Sequence, residues 1–182
     1  MRLPLIFVSA ALAAGMILGA QDSYSAKDYD AAKKTASRLV KEGNAEEARK
    51  IAEPLTAAAP DDIDAWYILA KAYRLQGNLE KAEKATQWML DLRPEFMGGL
   101  WEAALLRERF QDLDGSLDLL NAVYRQLGKA KVDQKIEVLT DIARIFEKKK
   151  DSANAAMIQK EIQRLKNMED SSEMLSSAAT HQ

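Results

Sequence analysis

Cysteine and histidine, two side chains that often carry chemistry in proteins, are nearly absent from this sequence of 182 residues. It has no Cys, and its single His is His181, the next-to-last residue. Disulfides, thiolate metal sites and Cys nucleophiles are therefore excluded, and a Ser-His-Asp triad or a His-based metal site cannot be assembled within a core. Carboxylates are abundant, but no pair stands isolated in an apolar segment, as a raised carboxyl pKa would require. The sequence predicts a protein that is not an enzyme and binds no cofactor or metal.

Two patterns hint at ligand binding without supporting it. Asp112-x-Asp114-Gly115 resembles part of a calcium loop, but Phe110 stands where the first ligand is needed and no Glu closes the loop. The basic run at 148–150 falls at a predicted turn between helices, where a solvated surface is the simpler interpretation. With a formal net charge of −2, the chain also lacks the basic surface of a nucleic-acid-binding protein.

Residues 1–20 have the plan of a secretory signal peptide. Arg2 supplies a positive start, an uncharged apolar stretch follows, and small residues precede a possible cleavage site after Ala20, with a second such site before Ala26. We expect a periplasmic or secreted protein. The alternative is an uncleaved signal anchor that holds the protein in the inner membrane facing the periplasm, because about 18 apolar residues can just span a bilayer. Membrane contact is expected only if this segment is retained.

The rest of the chain is predicted to be all-α. Ala and Leu, which favour helices, dominate the composition, while aromatics make up only 7 %. Landmarks recur with a constant period of about 34 residues: Gly43-Asn44 and Gly77-Asn78, Ala48 and Ala82, and Pro60 and Pro94. Between the landmarks, apolar residues fall at helical spacing. Such a period indicates a stack of helical hairpins, each of which buries its apolar face only against its neighbours.

Residues 63–96 resemble the tetratricopeptide repeat (TPR) family, through Trp66-x-x-Leu69-Ala70-x-x-Tyr73 followed by Gly77, Ala82 and Pro94. The resemblance implies a right-handed α-solenoid of about four helix-turn-helix repeats. After a lead segment at 21–28, the repeats are predicted at 29–62, 63–96, 97–130 and, behind a five-residue insertion, at 136–168 in degenerate form. The polar, Ser/Ala-rich residues 169–182 predict a disordered tail.

Two departures from the pattern leave the third and fourth repeats open. Arg107 falls where Tyr73 stands one repeat earlier, at a position that is usually buried. Either its side chain reaches a carboxylate such as Glu108 or Asp141, or the third repeat is distorted. The segment 128–135 is an insertion, so the stacking of the third and fourth repeats can differ from that of the others.

The resemblance also implies a binding site, because the first helices of TPR repeats line a concave groove. Tyr67 and Trp101 either face this groove or pack in the core, and beside Lys71 and Arg74 they suggest an extended peptide with an apolar anchor and an acidic group. Lys33 matches the Lys of a family clamp for terminal carboxylates, but Ser37 replaces its Asn. The candidate groove residues are Lys33, Tyr67, Lys71, Arg74, Trp101, Leu105 and Arg144.

These observations predict a protein-interaction scaffold or adaptor in the bacterial cell envelope, with a protein or peptide as its partner. One alternative is a membrane-anchored subunit of an envelope assembly or secretion complex. A carbohydrate-binding protein or an enzyme is a third class. It would need convergent carboxylates in a pocket, and the sequence shows none.

Overall fold

A computed structural model describes residues 25–128 and 131–179 of the chain. The predicted signal peptide at 1–20 lies outside these residues. Within the described ranges the chain forms eight α-helices and no strand: α1 (Ala26–Lys41), α2 (Ala45–Ala58), α3 (Ile63–Leu75), α4 (Leu79–Leu92), α5 (Met97–Arg109), α6 (Leu113–Gln126), α7 (Val132–Lys148) and α8 (Ser152–Ala179). None of these helices is both long and apolar enough to cross a bilayer.

Consecutive helices pair into four hairpins that stack in chain order. Helices α1 and α2, α3 and α4, α5 and α6, and α7 and α8 pack within hairpins, while α2 on α3, α4 on α5 and α6 on α7 join successive hairpins. Close helix contact depends on small side chains, and Ala48, Ala70 and Ala82 are fully buried. The all-α solenoid of about four helix-turn-helix repeats is therefore confirmed.

The turn inside each hairpin contains one residue with a left-handed backbone. These residues are Gly43, Gly77, Gln111 and Lys150, with φ between +59° and +82°. Glycine adopts this conformation without strain, whereas Gln111 and Lys150 adopt it at some cost. The first three are evenly spaced along the chain at the predicted period, and the interval to Lys150 is longer by the predicted insertion. Helix α7 takes up most of that insertion at its start, since it begins at Val132 and the fourth repeat was predicted to begin at 136.

Asp62 ties the first hairpin to the second. Its side chain accepts hydrogen bonds from the backbone N–H groups of Asp64 and Ala65 and so caps α3. The same carboxylate accepts from the Lys33 ammonium and the Tyr29 hydroxyl, each at 2.8 Å. Burial alone would raise the pKa of Asp62, but the hydrogen bonds from Lys33 and Tyr29 outweigh it and hold the pKa below its ordinary value. Lys33 is thus part of the connection between repeats.

Arg107 follows the first of the two predicted courses, but with a carboxylate other than the two named as examples. Its guanidinium is exposed and pairs with Asp112 at 2.5 Å, in the turn that follows its own helix, instead of reaching Glu108 or Asp141. The third repeat is not distorted, because α5 (Met97–Arg109) has the bounds of α3 (Ile63–Leu75) displaced by one repeat period. A long side chain near the helix end can reach solvent and a turn carboxylate, so this position need not be buried.

The C-terminal end differs from the predicted disordered tail. Helix α8 spans 28 residues and ends at Ala179, so 169–179 are helical, and 180–182 lie outside the described residues. The polar composition of this segment suggested disorder, but it contains no Gly or Pro and follows directly on a formed helix. Extending an existing helix avoids the costly nucleation step.

Candidate functional site

The first helices of the second, third and fourth hairpins, α3, α5 and α7, enclose a groove. At its centre lies a cavity of about 370 Å³, which we call the apolar pocket. Its most apolar walls are Trp101 and Leu105 on α5 and Ile136 on α7. Ten residues line it: Tyr67, Lys71, Arg74, Trp101, Glu102, Leu105, Ile136, Glu137, Thr140 and Asp141.

Six of the seven candidate groove residues lie together. Five line the apolar pocket, and Arg144 lines an adjoining cavity that also includes Arg74 and Leu105. Lys33 is not among the residues lining either cavity: it lies on α1, and its ammonium is held by Asp62 in the connection described above. The helical register thus places side chains of α3, α5 and α7 in one groove. Lys33 lies outside this groove and forms its ion pair between the first and second hairpins.

Tyr67 and Trp101 both line the pocket and both pack against neighbours. The Trp101 indole N–H donates to Asp141 Oδ2 at 2.8 Å, and the ring packs on the core of the last two repeats. Tyr67 meets Phe96 edge to face, with ring centroids 6.0 Å apart. The sequence left open whether these residues face the groove or pack in the core, and in the structure they do both. Burial, reinforced by the charge of Glu102, raises the pKa of Tyr67 to about 12.

Lys71 is the cation at the mouth of the apolar pocket. Its ammonium lies 5.2 Å from the Tyr67 ring centroid and 3.5 Å from the Tyr67 hydroxyl oxygen. Within the described part of the chain no carboxylate lies within ion-pair distance of it, whereas Arg74 and Arg144 are both paired. An unpaired ammonium beside an apolar cavity can donate hydrogen bonds to a carboxylate or carbonyl oxygen of a ligand.

A buried ion pair forms the floor of the groove. The Arg74 guanidinium donates to both carboxylate oxygens of Glu102, at 2.6 and 3.2 Å, and Glu102 is only 2 % exposed. A bidentate pair of this kind fixes both side chains in position. It joins α3 to α5 directly beneath the apolar pocket, so the second and third repeats are held at a set spacing.

A second buried carboxylate continues the network toward the fourth repeat. Glu108, also 2 % exposed, accepts from Arg144 at 2.6 Å and pairs with Lys148 at 2.8 Å. Arg144 also pairs with Asp141, the acceptor for the Trp101 indole. The groove wall is therefore a chain of alternating charges that spans α5 and α7.

The candidate set from the sequence lacks the buried acids that position its cations. Glu102 stands one repeat period after Ile68, and Glu108 stands one period after Arg74. The sequence did contain one signal, because Glu102 is an acidic residue at a position that Ile68 occupies one repeat earlier. An acid at such a position could have suggested an ion pair with a nearby cation such as Arg74. The pairing itself joins residues 28 to 36 positions apart, and a repeat period does not specify which side chains meet across helices.

Comparison with known proteins relates part of this chain to a family. The family model for the tetratricopeptide repeat matches residues 39–94, about a third of the chain. No curated protein sequence matches the chain significantly.

Solved structures with the same fold include a thermophilic TPR protein, TTC0263, of Thermus thermophilus. It is 15 % identical, with a TM-score of 0.66, and the match covers 86 % of this chain and 83 % of that one. The type III secretion chaperone SycD of Yersinia enterocolitica, in complex with a peptide of the translocator YopD, matches at 15 % identity and a TM-score of 0.58, covering 69 % and 97 %. PcrH, in complex with the chaperone binding region of PopD, matches at 14 % and 0.60, covering 71 % and 99 %.

At these identities the structures are similar in fold alone. These structures, the family model and the four stacked hairpins all agree with the sequence pattern of the second repeat. That pattern starts with Trp66, Leu69, Ala70 and Tyr73. Residues 39–94 match the tetratricopeptide repeat model, and the stacked hairpins of the described residues have the fold of these structures.

Proposed function

We propose that this chain is a non-catalytic scaffold or adaptor that binds a segment of a partner protein in the groove formed by α3, α5 and α7. One observation carries the proposal. The apolar pocket combines walls of Trp101, Leu105 and Ile136 with the unpaired ammonium of Lys71. Large aromatic and aliphatic surfaces in a pocket, beside a cation, are typical of sites that anchor one side chain of a peptide.

The comparisons support a protein or peptide as the class of partner. SycD and PcrH, which share the fold, have both been solved with segments of other proteins, YopD and PopD respectively. The fold by itself does not define a partner. For this chain the partner segment is therefore inferred from the pocket: one apolar side chain enters it, and an oxygen of the same segment meets Lys71.

Site-specific photo-crosslinking in living cells tests this function. Thr140 is exposed and lines the apolar pocket, so benzoylphenylalanine at position 140 should form a defined crosslinked product. The matched control carries it at Glu83, exposed on α4 away from the groove, and should give no such product. Adding Trp101→Ala to the 140 variant should remove the product. Equal crosslinking from both positions, or a product that survives Trp101→Ala, would count against a groove site.

We propose further that the protein acts in the bacterial cell envelope, with residues 1–20 as its export signal. The proposal is supported by the charged start, the apolar stretch and the small residues before Ala20. The alternative role is a membrane-anchored subunit of an envelope assembly or secretion complex, which retains this segment.

Cell fractionation combined with intact mass measurement separates these alternatives. A periplasmic species that begins at Gln21 is the expected result. A full-length species in the membrane fraction would favour the anchored subunit. A full-length species in the cytosol would contradict both.

A further inference from the structure

The groove continues beyond the apolar pocket into a second cavity of about 330 Å³, which we call the polar pocket. Four cations line it, Arg74, Arg109, Arg144 and Lys148, together with the carboxylates of Glu108 and Asp141. Arg74, Leu105 and Asp141 line both pockets, so the two cavities are adjacent compartments of one groove.

The cations of the polar pocket exceed its acids. Glu108 is engaged by Arg144 and Lys148, and Arg74 is engaged by Glu102. Arg109 is exposed and has no carboxylate within ion-pair distance among the described residues. Even with Glu102 included, four positive groups face three negative ones. A concave wall with a positive surplus attracts an anionic group, and guanidinium groups match the geometry of a carboxylate.

The distance between the pockets limits the spacing of groups in a ligand. Along α7, the apolar pocket is centred near residue 138 and the polar pocket near residue 144. About six residues of helix span about 9 Å. An extended peptide advances about 3.3 Å per residue, and its alternate side chains point to the same side. A residue two positions from the apolar anchor therefore points to the same side of the peptide as the anchor. Two residues advance the peptide by about 6.6 Å, and the length of an acidic side chain covers the rest of the distance of about 9 Å between the pocket centres along α7.

We propose that the polar pocket binds the side-chain carboxylate of an Asp or Glu located two residues from the apolar anchor of the bound peptide. This inference rests on the proposed function and adds the specificity of the groove. Arg109 and Lys148 lie in the last turns of α5 and α7 and are exposed. They are thus placed to meet a side chain that projects from a peptide backbone running along α7. The partner segment is an apolar residue paired with an acidic one at this short spacing.

Selection from a random dodecapeptide library displayed on phage tests the specificity. The bait is the chain from Gln21 to its C-terminus. Enriched peptides should share an apolar residue with Asp or Glu two positions away. They are then synthesised with acetylated and amidated ends, which leaves side-chain carboxylates as their only acids. Replacing the acidic residue by its amide should weaken binding about five- to tenfold, as expected for loss of a charge-assisted contact at a partly exposed site.

A charge swap identifies the contact. Arg109→Glu should weaken the acidic peptide about tenfold and should favour the same peptide with Lys in place of its acid. Arg125→Glu, at an exposed arginine of α6 outside the groove, should leave both affinities unchanged. The Lys148 ammonium is left intact in this design because it neutralises the buried Glu108. The circular dichroism of both variants should equal that of the parent protein.

The possible outcomes separate this inference from the proposed function. Peptides that need Trp101 but show no acidic preference, or no response to Arg109→Glu, would overturn the inference alone. Binding that is lost on amidation of the C-terminus would also overturn it, since a terminal carboxylate would then be the bound group. If none of the enriched peptides needs Trp101 for binding, the groove is not the binding site. Both the proposed function and this inference would then be wrong.

Discussion

Replacement of Arg74 by Met is expected to lower the free energy of unfolding by about 3–5 kcal/mol. The guanidinium is the bidentate partner of Glu102, whose side chain is 3 % exposed. Without it, a carboxylate would remain buried beneath the groove with no cation to offset its desolvation. Because single domains are stable by only about 5–15 kcal/mol, a large part of the stability would be lost. Urea unfolding followed by circular dichroism measures the change.

Two control variants show whether the effect comes from the orphaned carboxylate. Arg74→Met combined with Glu102→Ile should recover most of the lost stability, because well-packed apolar residues often replace a buried ion pair without cost. Ile68 occupies the equivalent position one repeat earlier. Lys84→Met, which breaks the exposed Lys84–Glu80 pair on α4, should change little. A single Arg74→Met variant within about 1 kcal/mol of the parent would contradict the argument.

Trp101→Ala together with Lys71→Glu is expected to abolish partner capture while the helical content stays unchanged. The first change removes the largest wall of the apolar pocket, and the second reverses the charge of its unpaired cation. Truncation of an aromatic anchor commonly costs about 2 kcal/mol or more of binding energy, which is about a 30-fold loss of affinity. Charge reversal adds repulsion against an acidic ligand. Pull-down of the crosslinked partner measures capture, and circular dichroism measures the helical content.

Helix α4, which does not line the groove, offers a matched control. Trp88 and Lys84 have the same residue types on α4, where the Trp88 side chain is 46 % exposed outside the groove. Trp88→Ala with Lys84→Glu should leave partner capture intact. If the control pair impairs capture as strongly as the groove pair, the binding surface is not the groove, and the exposed face around Trp88 becomes the better candidate.

Much of the fold follows from local pattern. Left-handed turns were predictable at Gly43 and Gly77 because only glycine adopts that backbone easily. The third and fourth turns, at Gln111 and Lys150, lack this signal and were found only by extending the period. The helical tail beyond 168 was missed because polar composition was taken as disorder, although the end of α8 determines the conformation of the residues that follow it.

The candidate site was partly predictable for the same reason. A repeat period assigns residues to faces, so it brought Tyr67, Lys71 and Trp101 to one groove. It does not specify which charges pair across helices, so the attachment of Lys33 to Asp62 was missed, as was the ion pair between Arg74 and Glu102. Such pairs depend on the angle and spacing between helices that are distant in sequence.

The sequence by itself determined the class of this protein. The regular period of helical landmarks specifies a stack of helical hairpins, because periodicity is a local property of the sequence. Only the tertiary structure decided that the groove has an adjoining apolar and polar pocket, whose α7 lining residues are centred about 9 Å apart along that helix. That division depends on how α5 packs between α3 and α7, which sets where Glu102 and Glu108 are buried and which cations remain available to a ligand.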